Sequence, residues 1–323
     1  MKFFKALFTA FGCISLFILL HNYGFATLEH DLALVGWHIF PLALTFVPTL
    51  FCYSLAWFFI TDRKQSSLTN APLFIRFFFM MITSIAWNNL SPFIKILGEP
   101  IKAVMLTKHI ERKSAIKSVV IYNIVHLIGT VGAFLLAALL IPFLFSVNHD
   151  VKVICFILVG VCILLASLLL TLPKFAHSLL KKKSFRKLRS MSLSLRWSFH
   201  KINVFYGTHQ LALLAAILLE VTARFLEGFT FYYAFILLGE PISALSAAFL
   251  DLGRALADNV FFFIPYQVGS REIGVRFLLE KVLAVPAKGA VTVALLYRLV
   301  EIFWMIFGYI LWTKEGSSAK SLK

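Results

Sequence analysis

A chain of 323 residues that is 60% hydrophobic and 14% charged has too little polar surface to cover itself in water, which excludes an ordinary soluble domain and makes the bilayer its solvent. Its net charge of +16 would suit nucleic acid, but Lys and Arg are bunched into particular loops, the pattern that sets membrane topology. Cys13, Cys52, Cys155 and Cys162 lie inside apolar runs without metal-ligand spacing, which argues against a disulfide framework and a zinc site.

The first apolar run, Phe4 to Tyr23, follows Lys2 and Lys5 as a signal peptide would. No small-residue cleavage site follows it, so it is read as a retained first helix. Runs long enough to cross the bilayer, about twenty residues each, follow at Gly36 to Ile60, Val119 to Phe145, Val151 to Leu172, Gln210 to Leu238 and Ala290 to Trp312. Two further apolar runs, Phe74 to Leu90 and Ala244 to Ile264, lead into motifs that echo each other. The first reads Trp87-Asn88-Asn89-Leu90-Ser91-Pro92, then Gly98-Glu99-Pro100. The second reads Asp258-Asn259, then Phe263-Ile264-Pro265 and Gly269-Ser270-Arg271-Glu272. In each, Asn and Pro end the run, a Gly follows, and a Glu falls seven positions after the Pro. Paired, interrupted apolar segments in two halves are a pointer to a transport site near the bilayer midplane.

Loop charge decides how these segments run. Arg63, Lys64 and Arg76 precede the first motif, and Lys102, Lys108, Arg112, Lys113 and Lys117 follow it. A segment that crossed once would put one basic cluster outside; one that dips in and returns leaves every major cluster cytoplasmic. The loops around Glu29-His30-Asp31 and Asn148-His149-Asp150 are then external. The return arms, Ile101 to Lys117 and Ile273 to Val285, are too short or too charged to span. The expected fold is an all-α polytopic membrane protein, a single domain over 1–323. It has about six transmembrane helices, two re-entrant broken-helix hairpins and both termini in the cytoplasm. An inverted repeat relates about 36–145 to about 206–312. The basic linker at about 174–204 interleaves Phe175, Leu179, Phe185, Leu188, Leu195 and Phe199 with its cations, which fits either a helix on the anionic inner leaflet or an ordinary positive-inside loop.

A Pro and a Gly within apolar sequence free backbone groups at membrane depth, tolerated only inside protein or beside a water-filled cavity. Asn88, Asn89, Ser91 and Asn259 can satisfy some of them. The arm before Pro265 also carries Asp251, Arg254 and Asp258. A charge at the helix centre costs about 2.5–3.5 kcal/mol on insertion scales, against a return of about 0.3–0.6 from each good apolar residue. Their spacing stacks them on one helical face, where Arg254 can pair with both carboxylates. Similar alternation recurs at Glu220-Arg224-Glu227, Glu272-Arg276-Glu280, Lys95-Glu99-Lys102 and Arg298-Glu301. Lys95, Lys102, Arg254, Arg271 and Arg276 are candidates for contact with an anionic headgroup. Glu99 and Glu272 would counter-charge them, bind a cationic group or carry a proton. By the same logic Glu272→Gln is expected to impair activity more than Glu301→Gln.

No P-loop, H-E-x-x-H or G-x-S-x-G is present, and His38, His126 and His209 are isolated. Neither an enzyme nor a metal or other cofactor is expected, and each histidine reads first as a hydrogen-bonded interior residue.

The pattern Asn-x-x-Pro with Gly-Glu-Pro-x-Lys, and Phe-Phe-Phe-Ile-Pro-x-x-x-Gly-x-x-Glu in the second half, resembles the lysylphosphatidylglycerol synthase transmembrane domain, or flippase-like domain, family. It looks closest to the branch associated with hopanoid biosynthesis. The resemblance covers nearly the whole chain and implies a bacterial or archaeal inner-membrane protein that moves lipids between leaflets. It implies a site at Asn89, Pro92, Gly98, Glu99 and Lys102 with Pro265, Gly269, Arg271 and Glu272. Asp258 and Asn259 join it through the second motif. Tyr266-Gln267 departs from the small, Gly-rich turn of the pattern, which bears on substrate identity. The sequence ends soon after Trp312 without the soluble aminoacyl-transferase domain, so lysyl transfer is not expected. The leading expectation is a lipid translocator whose partner is a membrane lipid, alone, as a homo-oligomer or beside a lipid-biosynthetic protein. The rivals are a secondary transporter of a small anion and a non-transporting partner of a lipid-modifying enzyme.

Overall fold

The computed structural model describes residues 21, 25–61, 71–90, 97–179, 210–264, 267, 269–285 and 289–320. All of the first expected span but His21 lies outside the described residues, as do Pro92, Lys95, Pro265 and the basic linker beyond Leu179. Every element described is helical. In chain order these are α1 (Phe25–Val35), a short 3-10 turn (Gly36–His38), α2 (Ile39–Leu44), α3 (Val47–Ile60), α4 (Ala71–Leu90), α5 (Gly98–Leu106) and α6 (Arg112–Leu144). There follow α7 (His149–Leu179), α8 (Gln210–Leu226), α9 (Gly228–Leu237), α10 (Ala244–Val260), α11 (Ser270–Phe277) with a π turn at Leu278–Val282, and α12 (Ala290–Lys320).

Three stretches among the described residues are long and apolar enough to cross a bilayer: Phe25–Ile60, Arg112–Leu144 and Ala290–Lys314. Two of the expected spans are broken. Gly36 to Ile60 is interrupted between α2 and α3, where Thr45 Oγ1 donates to the Leu42 carbonyl at 2.6 Å and Pro48 opens the next helix without an amide to leave unpaired. Gln210 to Leu238 is interrupted at Glu227. Thr45 Oγ1 and Thr230 Oγ1 lie 3.0 Å apart, so the two breaks face each other. The segment around Glu29, His30 and Asp31, expected as a loop, is instead helix α1. Asp31 accepts a hydrogen bond from Thr292 of α12 at 2.7 Å, which gives its carboxylate an internal partner in place of water.

Neighbours repeat between the halves. In the first, α3 packs on α4, α4 on α5, α5 on α6 and α3 on α6; in the second, α9 packs on α10, α10 on α11, α11 on α12 and α9 on α12. The halves then interlock, α8 against α3 and α6, and α12 against α4 and α2. Close approach needs small residues where helices cross. A Cβ on Gly308 of α12 would lie 2.5 Å from the Ala86 Cβ of α4, and one on Gly228 would lie 2.4 Å from the Ala248 Cα.

The apolar core is in two parts. One gathers Leu42, Phe231, Phe235, Phe249, Leu250 and Val293 around α9, α10 and α12. The other gathers Trp57, Phe77, Met80, Met81, Tyr122 and Ala216 around α3, α4, α6 and α8. Residues of both parts meet at the wall of one polar cavity among the described residues.

Candidate functional site

The two echoed motifs fold by different devices. At the first, Asn88 near the end of α4 accepts the Gly98 amide at 2.7 Å, which ties the return helix α5 to the arm that precedes it. A Cβ on Gly98 would sit 2.3 Å from the Ser84 carbonyl oxygen, so only glycine allows this approach. At the second, Gly269 adopts φ 79°, a left-handed conformation that glycine takes without penalty, and its amide donates to Glu272 Oε2 at 2.9 Å. Glu272 reaches back to cap its own helix, as an acidic residue in the first turn can. Its other oxygen takes Arg298 of α12, whose guanidinium also donates to the Gln267 carbonyl at 2.8 Å.

Between the hairpins lies a cavity of about 630 Å³. The first motif brings Asn88, Asn89, Glu99 and Lys102 to its wall, and the second brings Arg254, Asp258, Asn259, Phe262 and Gln267. The remaining polar wall comes from the other helices: Tyr53 of α3, Tyr122 and His126 of α6, Arg224 and Glu227 at the α8–α9 break, and Tyr297 and Glu301 of α12.

Buried charge needs partners, and here it has them. Lys102, 4% exposed, lies 3.1 Å from Glu99 and 4.4 Å from the centre of the Tyr122 ring, a carboxylate and an aromatic face around one ammonium. Arg254 donates to Asp251 and to Asp258 at 2.7 Å each and to the Tyr297 hydroxyl at 3.1 Å, over whose ring it also stacks. Arg271 bridges Asp258 and Glu301. Arg224 reaches Glu227 at 3.4 Å, Thr130 at 3.1 Å and His126 at 3.0 Å, and His126 meets Glu220 at 2.7 Å with its other ring nitrogen. Tyr53 donates its hydroxyl to Glu227. A continuous chain of ion pairs thus runs from α8 through α10 and α11 to α12. The expectation that Arg254 pairs with both neighbouring carboxylates matches these distances.

Of the site residues expected from sequence, Asn89, Glu99, Lys102, Arg254, Asp258 and Asn259 come together at the cavity. Gly98 and Gly269 act on the backbone, as close approach and as turn. Arg271 stands behind the wall, 2% exposed, holding Asp258 and Glu301. Glu272 is fully buried at its cap and does not line the cavity. Arg276 departs furthest from expectation: its side chain is 55% exposed, and it pairs with Glu280 one turn on, while the Glu272 carboxylate is taken by Arg298 and by the Gly269 amide. Likewise Arg298 and Glu301 bond to Glu272 and Arg271 on the facing helix.

Sequence reading left Tyr53, Tyr122, His126, Arg224, Glu227, Tyr297 and Glu301 out of the site. The alternating charges of Glu220, Arg224 and Glu227 were the available signal, together with Gly228 after Glu227 as a mark of a broken helix. The tyrosines carried none, because a tyrosine in an apolar run reads as core.

Comparison with curated proteins and with solved structures returns no match. The profile of one family, described as the lysylphosphatidylglycerol synthase TM region, matches residues 4–308, nearly the whole chain and both hairpins. Its helices, apolar enough to span and wrapped around buried ion pairs, are those of a membrane protein. The chain therefore belongs to the family of the lysylphosphatidylglycerol synthase TM region.

Proposed function

We propose that this protein moves a lipid, or a lipid-linked molecule, between the leaflets of a bacterial or archaeal cytoplasmic membrane. The headgroup passes through the cavity while the acyl chains stay in the bilayer. The observation that carries the reading is the cavity itself, walled by both broken-helix motifs and lined with charged side chains in an otherwise apolar chain. The repeated neighbour pattern of the two halves fits a structural repeat, and the loop charges favour an inverted one, with hairpins entering from opposite faces and the termini in the cytoplasm.

A phosphate entering this cavity does not meet bare cations. Lys102, Arg224 and Arg254 each face a carboxylate already, so an anionic headgroup binds by exchange, taking a cation as a carboxylate turns away. Exchange keeps the buried cations paired throughout, so none of them is left as an uncompensated charge. Transport of this kind requires no covalent step. Purified protein in vesicles of phosphatidylethanolamine and phosphatidylglycerol, with fluorescent phosphatidylglycerol placed in one leaflet, tests the reading. Faster equilibration than in protein-free vesicles is expected, and equal rates count against it.

The cavity volume also favours a second reading, since about 300–1,000 Å³ is the range of small-molecule sites. A secondary transporter of a small anion would show gradient-driven uptake of labelled solute in the same vesicles and no lipid movement.

A further inference from the structure

Asp251 pairs with Arg254 from behind the cavity wall, and it is among the most deeply buried carboxyls of the protein. It is 0% exposed, Oδ1 accepts Arg254 Nε at 2.7 Å, and no N–H or O–H donates to Oδ2. The group beside it is another carboxyl, Glu227, and one guanidinium joins the two: Arg254 lies 2.7 Å from Asp251 and 3.9 Å from Glu227. Two ionised carboxylates have only acceptors to offer each other, so a hydrogen bond between them requires a proton on one. Glu227 is already served by Tyr53, Arg224 and Arg254, whereas Asp251 Oδ2 has no donor of its own.

We propose that Asp251 and Glu227 form a proton-binding site in the cavity wall, with the proton held on Asp251 and Glu227 as its port. Glu227 lines the cavity and Asp251 lies behind it. Inward, a hydronium ion in the cavity gives a proton to Glu227 and leaves as water. The O–H bond on Glu227 then breaks as one forms on Asp251 Oδ2, which restores the Glu227 carboxylate. The return path reverses both steps. The charged and titratable groups around the pair are Arg254 and Asp258 on α10, Arg224 and Glu220 on α8, and Tyr53 on α3. Beyond them stand His126 on α6, Arg271 on α11, and Tyr297 and Glu301 on α12. Arg254 is shared with Asp258 and Glu227, and Arg224 pairs with Glu227, so neither guanidinium neutralises Asp251 alone. The consequence, that a proton gradient acts on the same cavity as the cargo, rests on the transport reading; the proton site does not.

Infrared difference spectroscopy on the intact protein in vesicles tests it, using the carbonyl stretch of a protonated carboxyl and its shift in heavy water. Wild type should show the band at neutral pH. Asp251→Asn, which keeps the size of the side chain and can donate to Glu227, should lose it; Glu227→Gln is a second variant that removes the partner and should shift or abolish it. A wild type without the band, or a band unchanged in both variants, overturns the site. Equilibration of fluorescent phosphatidylglycerol in the same vesicles reads the lipid proposal separately. A band lost on substitution in vesicles that move no lipid retains the proton site and removes the lipid reading. Lipid movement with no such band does the reverse.

Discussion

Asp258 accepts hydrogen bonds from two arginines through the same oxygen, Arg254 on its own helix and Arg271 on the return helix, at 2.7 Å each. This one atom joins the arms of the second hairpin, and because Arg271 also reaches Glu301, it fastens the hairpin to α12.

Removing Asp258 should therefore loosen the hairpin as a unit. Asp258→Ala leaves Arg254 with Asp251 and Arg271 with Glu301, each short of one partner while still buried. Breaking a buried pair from one side costs about 3–5 kcal/mol. The expected result is a clearly lower unfolding midpoint in detergent or nanodiscs, with Asp258→Asn intermediate because its amide oxygen still accepts. A midpoint equal to wild type would mean that the bridge does not hold the arms together.

Glu272 and Glu301 should fail in different ways. Glu272, with no exposed surface, caps α11 and anchors Arg298, so Glu272→Gln should chiefly cost stability, about 0.5–2 kcal/mol for a weakened cap and more for the charged bond. The Glu301 side chain, 26% exposed, lines the cavity, so Glu301→Gln should slow lipid movement with a smaller change in midpoint. This reverses the order that the motif alone suggested. Paired measurements of midpoint and lipid equilibration check it, and a Glu272→Gln protein that is stable but inactive would restore the original order.

The broken helices were legible because Pro and Gly inside apolar sequence have few physical uses, and the face of Asp251, Arg254 and Asp258 was legible because the cost of burying three charges forces them together. The partners of those charges were not. Helical spacing puts Arg298 near Glu301 and Glu272 near Arg276, yet Arg298, Glu301 and Glu272 each bond across to another helix, and sequence spacing says nothing about the facing element. The break at Glu227 was hidden for a related reason. Hydropathy sums over Gln210 to Leu238 without registering that Gly228 must lie against Ala248.

Glycine substitutions test that close packing directly. Gly98→Ala and Gly228→Ala each place a methyl within 2.3–2.4 Å of backbone atoms, Ser84 O and Ala248 Cα respectively. Overpacking of this kind costs about 1–3 kcal/mol. Gly160→Ala on α7 meets nothing within 4 Å and should be neutral or stabilising by about 0.5–1 kcal/mol, since alanine is the better helix former. Yields of monodisperse protein and unfolding midpoints should rank the three variants in that order; a Gly98→Ala protein as stable as Gly160→Ala would show that α5 can move away from Ser84 of α4.

Lys102 and Glu99 give a pair of substitutions with opposite signs. Lys102 is the cation of the first hairpin that lines the cavity among the described residues, and Glu99 is the carboxylate that occupies it at 3.1 Å. Lys102→Met keeps the length of the side chain against Tyr122 and removes the charge, so an anionic headgroup loses a charged hydrogen bond of about 1.5–3 kcal/mol, roughly 10- to 150-fold in affinity. Glu99→Gln removes the competitor and leaves the cation, so the same headgroup should bind more tightly than to wild type. Native mass spectrometry of retained phosphatidylglycerol reads both. If the two variants shift retention in the same direction, Lys102 and Glu99 act only as a structural pair, and the headgroup is held at the Arg254 end of the cavity.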